Sequence, residues 1–194
     1  MAPTPDGGTA LKAKHYETAA AFRRALEDRL ATTAKSVRVD LQRIRRQVAF
    51  DRPLCRLFAE PNPPWVLKGG YALELKFAMA RTTKDIDLGL DQLPGTGGDW
   101  KERAARLLAI LQEKAIHESG DFFSFVIGEP TMELEAAPYS GARYLVEAVL
   151  DGRTFSKFHL DTFARRKTHD LPASLNPPPD FWNQHLPEWA QSQE

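Results

Sequence analysis

Cysteine is almost missing: Cys55 is the only one in 194 residues. No intramolecular disulfide can form and no Cys-based zinc site can be built, and this usage suits a reducing cytosol. Long apolar runs are missing too, since none approaches the roughly 20 residues that a membrane-spanning helix needs. The start, MAPTPDGGTA, lacks the charged-then-apolar order of a secretion signal and reads as a loose polar leader over residues 1–12. Net charge is zero, so no global field draws the chain to nucleic acid. There is no internal repeat. What remains is a cytoplasmic chain of ordinary globular composition, 42% hydrophobic and 27% charged, long enough for one sizeable core.

The charge is unevenly spread. Between Phe22 and Leu57 there are ten Arg or Lys against four Asp or Glu. A basic N-terminal third could meet RNA or nucleotide phosphates, or it could be a solvated helix face.

Apolar spacing organises the rest. Residues 14–35 predict a helix, and a second helix is expected over 36–50, with Leu41, Ile44 and Val48 on one face. Pro53 is expected to end or kink it, with a short helix following through Leu54, Leu57 and Phe58. Pro61–Pro64 breaks the chain. Trp65–Leu67 predicts a short strand, Tyr71–Ala80 a helix opening on Gly69-Gly70, and Asp85–Leu90 the next strand. Trp100–His117 predicts an amphipathic helix. Alternation then predicts strands through Phe123, Phe125 and Ile127, over Tyr144–Leu150 and over Thr154–Phe163, the last two joined by a hairpin turn at Asp151-Gly152. The fold class is α+β, a mixed sheet flanked by helices. A helical segment (13–60) precedes a core (61–170), and a Pro-rich tail (171–194) follows.

The stretch WVLKGGYALELKFAMARTTKDIDLGL carries the chemistry. Side chains alternate along a strand, so Asp85 and Asp87 share one face while Ile86 and Leu88 bury the other. Two carboxylates this close repel unless a cation sits between them. Mg²⁺ is the usual solution, because it takes oxygen ligands from one or two carboxylates and from substrate phosphates. Gly69-Gly70, between strand and helix, lets a phosphate approach free backbone N–H groups. Arg81 and Lys84 add positive charge beside the aspartates. A third carboxylate is expected from SKFHLDTF, where Lys157, His159 and Asp161 share a face. Asp161 is the natural third ligand of a two-metal site, Lys157 could neutralise phosphate charge, and His159 reads as a polar strand residue. Glu147 competes for the third place but looks like a surface position.

LKGGYALELKFAMARTTKDIDL resembles the signature of the AbiEii-type nucleotidyltransferase toxins, the MenT toxins included. Lys68, Gly69, Gly70, Ala72, Leu73, Arg81, Thr83, Asp85, Ile86 and Asp87 fit that pattern position by position. The wider superfamily, with its DNA polymerase β-like fold, shares the glycine turn and the paired aspartates. The resemblance covers residues 60–165; past it no helix matching the family's helical C-terminal half is evident. It implies nucleotide binding by Lys68, Gly69, Gly70, Arg81 and Thr83. It also implies catalysis by Asp85, Asp87, Asp161 and Lys157 with two Mg²⁺ ions, or Mn²⁺, on the three aspartates. The implied reaction moves a nucleotide from a nucleoside triphosphate to RNA, the tRNA 3′ end being the favoured acceptor, and a cognate antitoxin protein would restrain it. The alternatives are a catalytically weakened module that binds nucleotide or a partner, and an enzyme that AMPylates protein hydroxyls.

Overall fold

The computed structural model describes residues 16–77, 82–90, 99–133 and 141–164. The expected leader, Arg81, most of the PGTGGD loop and the expected tail lie outside them.

Helix α1 (Ala19–Val37) starts later than its composition predicts. Thr18 stands at its N-cap, and its hydroxyl accepts the Ala21 N–H. Phe22, Leu26, Leu30 and Ala34 recur every four residues and form the buried stripe. Arg38 closes the helix in the left-handed conformation, so helix α2 begins at Leu41 rather than at residue 36, behind an Asp40 cap. Pro53 does not end it. Helix α2 (Leu41–Leu57) runs through the proline as one element, which absorbs the expected third helix. A proline in a helix interior costs about 3 kcal/mol. Here every residue from Val48 to Leu57 is buried, and packing of Phe50, Leu54 and Leu57 offsets that cost.

Strand β1 (Trp65–Lys68) leads into helix α3 (Gly69–Lys76), which includes the glycines and ends earlier than predicted, because Phe77 is already extended. Strand β2 (Asp85–Leu90) follows, then helix α4 (Trp100–Ala115) behind an Asp99 cap, and strands β3 (Phe123–Glu133), β4 (Gly141–Leu150) and β5 (Arg153–Ala164). Strand β3 is longer than its alternating start suggests. It continues past Pro130 with register shifts there, which an edge strand tolerates. Asp151 and Gly152 both have positive φ, as a tight two-residue hairpin requires.

The five strands form one mixed sheet in the order β1-β2-β5-β4-β3. Strands β2 and β5 are parallel, and the other neighbours are antiparallel. Leu67, Ile86, Leu88, Leu160, Tyr144 and Val146 lie on one face and join Phe22, Leu26, Leu54 and Leu111 of the helices in a single hydrophobic core. The opposite face carries the polar residues.

At least six of the ten N-terminal cations have internal work. Arg23 donates to the Leu150 carbonyl at 2.6 Å, Arg45 pairs with Glu27 at 2.7 Å, and Arg46 donates to the Thr83 carbonyl. Arg43 holds Glu74, and Arg52 and Arg56 hold Asp121. The basic third is therefore in large part a set of ties between helices and sheet.

Candidate active site

Register decides what the polar face brings together. Lys68 of β1 lies opposite Asp87 of β2, Asp87 opposite Asp161 of β5, and Asp161 opposite Arg143 of β4. These four side chains form one row across four strands. Asp85 stands one step along, opposite His159. The Asp85 carboxylate is 3.3 Å from Nδ1 of His159, which makes that histidine a direct neighbour of the aspartates and more than a strand residue facing solvent.

The glycine turn packs onto this row. Gly69 has φ +63, and a Cβ there would lie 2.0 Å from an Asp87 oxygen. A Cβ on Gly70 would lie 2.8 Å from the Thr83 side chain. Both positions need glycine because a carboxylate and a threonine come that close. The backbone N–H of Gly70 donates to Asp87. Thr83 bridges the same corner. Its hydroxyl lies 3.3 Å from the Asp85 carbonyl, and its N–H faces buried Glu74 at 3.4 Å. Glu74 is fixed in turn by Arg43 at 2.9 Å and Gln47 at 3.2 Å. Helix α2 thus sets the segment that delivers Asp85.

Asp161 is buried, and Arg143 grips it with two nitrogens. Nε donates to one carboxylate oxygen at 2.7 Å and Nη2 to the other at 2.6 Å. The same Nη2 is 3.8 Å from Asp85. Arg143 is the residue that reading the sequence missed. Its guanidinium is held still more firmly protonated than usual, chiefly by the hydrogen bonds to Asp161. Burial, followed by the charges of Asp161 and Asp85, pushes the Asp87 carboxyl up to about 6. The Gly70 N–H and Arg143 pull it partly back.

Lys157 is not in the row. It sits four residues before Asp161, about 13 Å along the strand. Its ammonium pairs with Glu147 at 3.1 Å, and Glu147 also accepts from the Thr154 hydroxyl. Glu147 is therefore engaged away from the aspartates. Arg81 lies outside the described residues.

The donor set suits a hard divalent cation. Three carboxylates converge on one face, and the Asp87 carboxyl, raised first by burial, is raised further by the charges of Asp161 and Asp85. Among the described residues, however, no group of three or more His, Cys, Asp or Glu is drawn close enough to hold an ion as it stands. Arg143 already occupies both oxygens of Asp161.

A mixed sheet that aligns carboxylates on neighbouring strands, beside a helix entered through glycines, is the arrangement of an α+β nucleotidyltransferase fold. The chain belongs to the AbiEii family, described as nucleotidyl transferase toxins of type IV toxin–antitoxin systems, whose model matches residues 52–188. That match extends beyond residues 60–165 on both sides and takes in Pro177–Pro179 and Trp182. The crystal structure of JHP933 from Helicobacter pylori aligns with 63% of this chain at 17% identity and a TM-score of 0.35, too slight a likeness to argue from. The chain spans 43% of that protein's length. None of the curated proteins compared with the chain matches it. No helix among the described residues is long and apolar enough to cross a membrane.

Proposed function

We propose that this protein is a nucleotidyltransferase toxin. It transfers a nucleotidyl group from a nucleoside triphosphate to an RNA acceptor, the tRNA 3′ end being the first candidate, and a cognate antitoxin protein restrains it. The observation that carries the reading is the row Lys68–Asp87–Asp161–Arg143 beside the Gly69-Gly70 turn, in a chain of the AbiEii family.

Each residue has a part. Gly69 and Gly70 admit Asp87 and Thr83 at the start of α3, whose first-turn backbone N–H groups are offered to phosphate oxygens. Lys68 supplies positive charge at the strand end, Thr83 shapes the adjoining corner, and Arg81 adds a second cation before Asp85. Asp85, Asp87 and Asp161 would hold Mg²⁺, or Mn²⁺ in its place. The metal, when bound, supplies charge stabilisation for the phosphoryl oxygens and lowers the pKa of the attacking hydroxyl. That hydroxyl attacks the α-phosphorus of the triphosphate. The new phosphodiester bond forms as the bond to pyrophosphate breaks. Lys157 and Glu147 lie further along the same open face, where Lys157 would meet acceptor phosphates.

The test is direct. The purified protein is incubated with each of the four α-labelled nucleoside triphosphates, Mg²⁺ and total RNA, with a protein mixture in parallel. Label in RNA with one preferred triphosphate is the expected result. Label in protein alone would replace the RNA acceptor with protein hydroxyls, and no label anywhere would contradict transferase activity. The Arg143 fork gives a second reading one specific support: a carboxylate already satisfied by arginine suits a module that binds nucleotide without turnover. Equilibrium binding of triphosphate with no transfer would favour it.

A further inference from the structure

Arg143 sits where no motif pointed. It is directly opposite Asp161 in the sheet, and both carboxylate oxygens of Asp161 accept from it at 2.6–2.7 Å. A two-nitrogen fork of this kind is among the strongest and most directional ion pairs a protein makes. Asp161 is 4% exposed, so little water competes for it. The guanidinium also leans to within 3.8 Å of Asp85, and its charge reaches Asp87. One cation thus faces all three carboxylates.

A divalent cation bound to the same carboxylates would meet a full positive charge across Asp161. The two cannot share its oxygens without mutual repulsion. Arg143 is free to give way. Its side chain is 28% exposed, and the next residue on its face, Leu145, is exposed as well. The guanidinium has a solvent side to move toward, whereas Asp161 is buried in strand β5.

We propose that Arg143 is a positioning residue that holds Asp161 in the metal-free protein and releases it when a divalent cation takes the carboxylate. The inference rests on the reading of Asp85, Asp87 and Asp161 as a metal site. The arginine prevents the aspartates from repelling one another apart and keeps Asp161 in its working rotamer. It also sets a threshold, because metal affinity is lowered by the exchange. Binding and release are linked, so whatever Arg143 gives the metal-free state it takes from the metal-bound one. A residue with only a structural role would lower stability and metal affinity together when removed. This one should move them in opposite directions.

Calorimetric titration of the full chain with Mn²⁺ measures the exchange. Wild type, Arg143→Gln and Arg143→Lys are compared, with Asp161→Asn as the control, and each is also melted in chelator. Arg143→Gln should bind Mn²⁺ on the order of tenfold more tightly than wild type, the worth of one charge-assisted pair, while melting at a lower temperature in chelator. Arg143→Lys keeps the charge but loses the fork, folds even if the Gln variant does not, and should bind with intermediate affinity. Arg143 variants that bind Mn²⁺ no more tightly than wild type would overturn the inference and leave the metal site standing. Wild type that binds no Mn²⁺ at millimolar concentration would overturn both.

Discussion

Arg56 and Arg143 each grip an aspartate with two nitrogens, yet the two clusters differ in burial and in charge balance. Arg56 donates to Asp121 at 3.0 and 2.7 Å, and Arg52 reaches the same carboxylate at 3.4 Å. All three residues are 1–3% exposed, and Arg56 also donates to the Phe123 carbonyl and lies over the Phe125 ring. Two cations on one anion, sealed from water, tie helix α2 to the start of β3. The Arg143 cluster has the reverse imbalance, three carboxylates for the Arg143 guanidinium and the Lys68 ammonium, and it is open on one side. The sealed cluster is closed to any further ion, although the Arg56 Nε stays buried without a hydrogen-bond partner. An open cluster with surplus negative charge is unfinished, and it is stabilised by whatever cation arrives.

Four changes break or sharpen that contrast. The largest effect should come from Asp121→Ala, which leaves two buried guanidinium groups without their shared anion. A loss of about 3–5 kcal/mol in stability is expected, read by chemical denaturation. Asp85→Asn should do the opposite, leaving the melting temperature near wild type and reducing transfer on the order of a thousandfold, as expected when a carboxylate that would hold the metal is lost from a charge-stabilised phosphoryl transfer. A variant that keeps its activity would remove Asp85 from the site. If expression of the wild type is toxic, this variant should be harmless at equal abundance.

The third change uses pH. The folded Asp87 carboxyl is pushed up to about 6 from an ordinary 3.8, so its protonated form favours the fold. That contribution is complete below about pH 4 and is lost as pH rises through 6. Burial, then the charges of Asp161 and Asp85, set the strain felt above that value, and the Gly70 N–H and Arg143 ease it; Lys68 lies opposite Asp87 and His159 beside Asp85. In chelator, Asp87→Asn should therefore stabilise the protein at pH 8, on the order of 1 kcal/mol once solvent screening is allowed for. At pH 4 it should gain nothing. Equal gains at both pH values would contradict a carboxylate strained by burial and by its like-charged neighbours. The smallest effect belongs to Lys157→Ala. Its pair with Glu147 lies at the surface and contributes little to stability, so any loss of transfer in this variant reports on its proposed contact with acceptor phosphate rather than on folding.

Much of this was legible in residue spacing. Alternation along Asp85–Leu90 put the paired aspartates on one face, and the hairpin pair Asp151-Gly152 took the conformation its residue types demand. Helix limits were less legible, because they turned on caps at Thr18 and Asp40 and on burial around Pro53 that no local pattern reveals. Arg143 was hidden by a single residue. The turn pairs Leu150 with Arg153, and continuing that register would set Arg143 opposite Leu160. A bulge between Ala148 and Val149 adds Phe155 to the other strand and shifts the pairing by one, so Arg143 meets Asp161. Phe155 is buried there against Phe123 and Arg45. A bulge fixed by such tertiary packing leaves no mark in the alternation of β4, and with it the arginine of the site went unseen.

Whether the aspartate row moves a nucleotidyl group can be read from the fate of two labels. Nucleoside triphosphate labelled at the α-phosphate, and separately at the γ-phosphate, is incubated with wild type and Asp87→Asn in the presence of Mg²⁺ and RNA. The account predicts that the α label enters RNA, that the γ label leaves as pyrophosphate, and that Asp87→Asn does neither while remaining folded. A γ label on the acceptor, or α labelling that survives in Asp87→Asn, would contradict it.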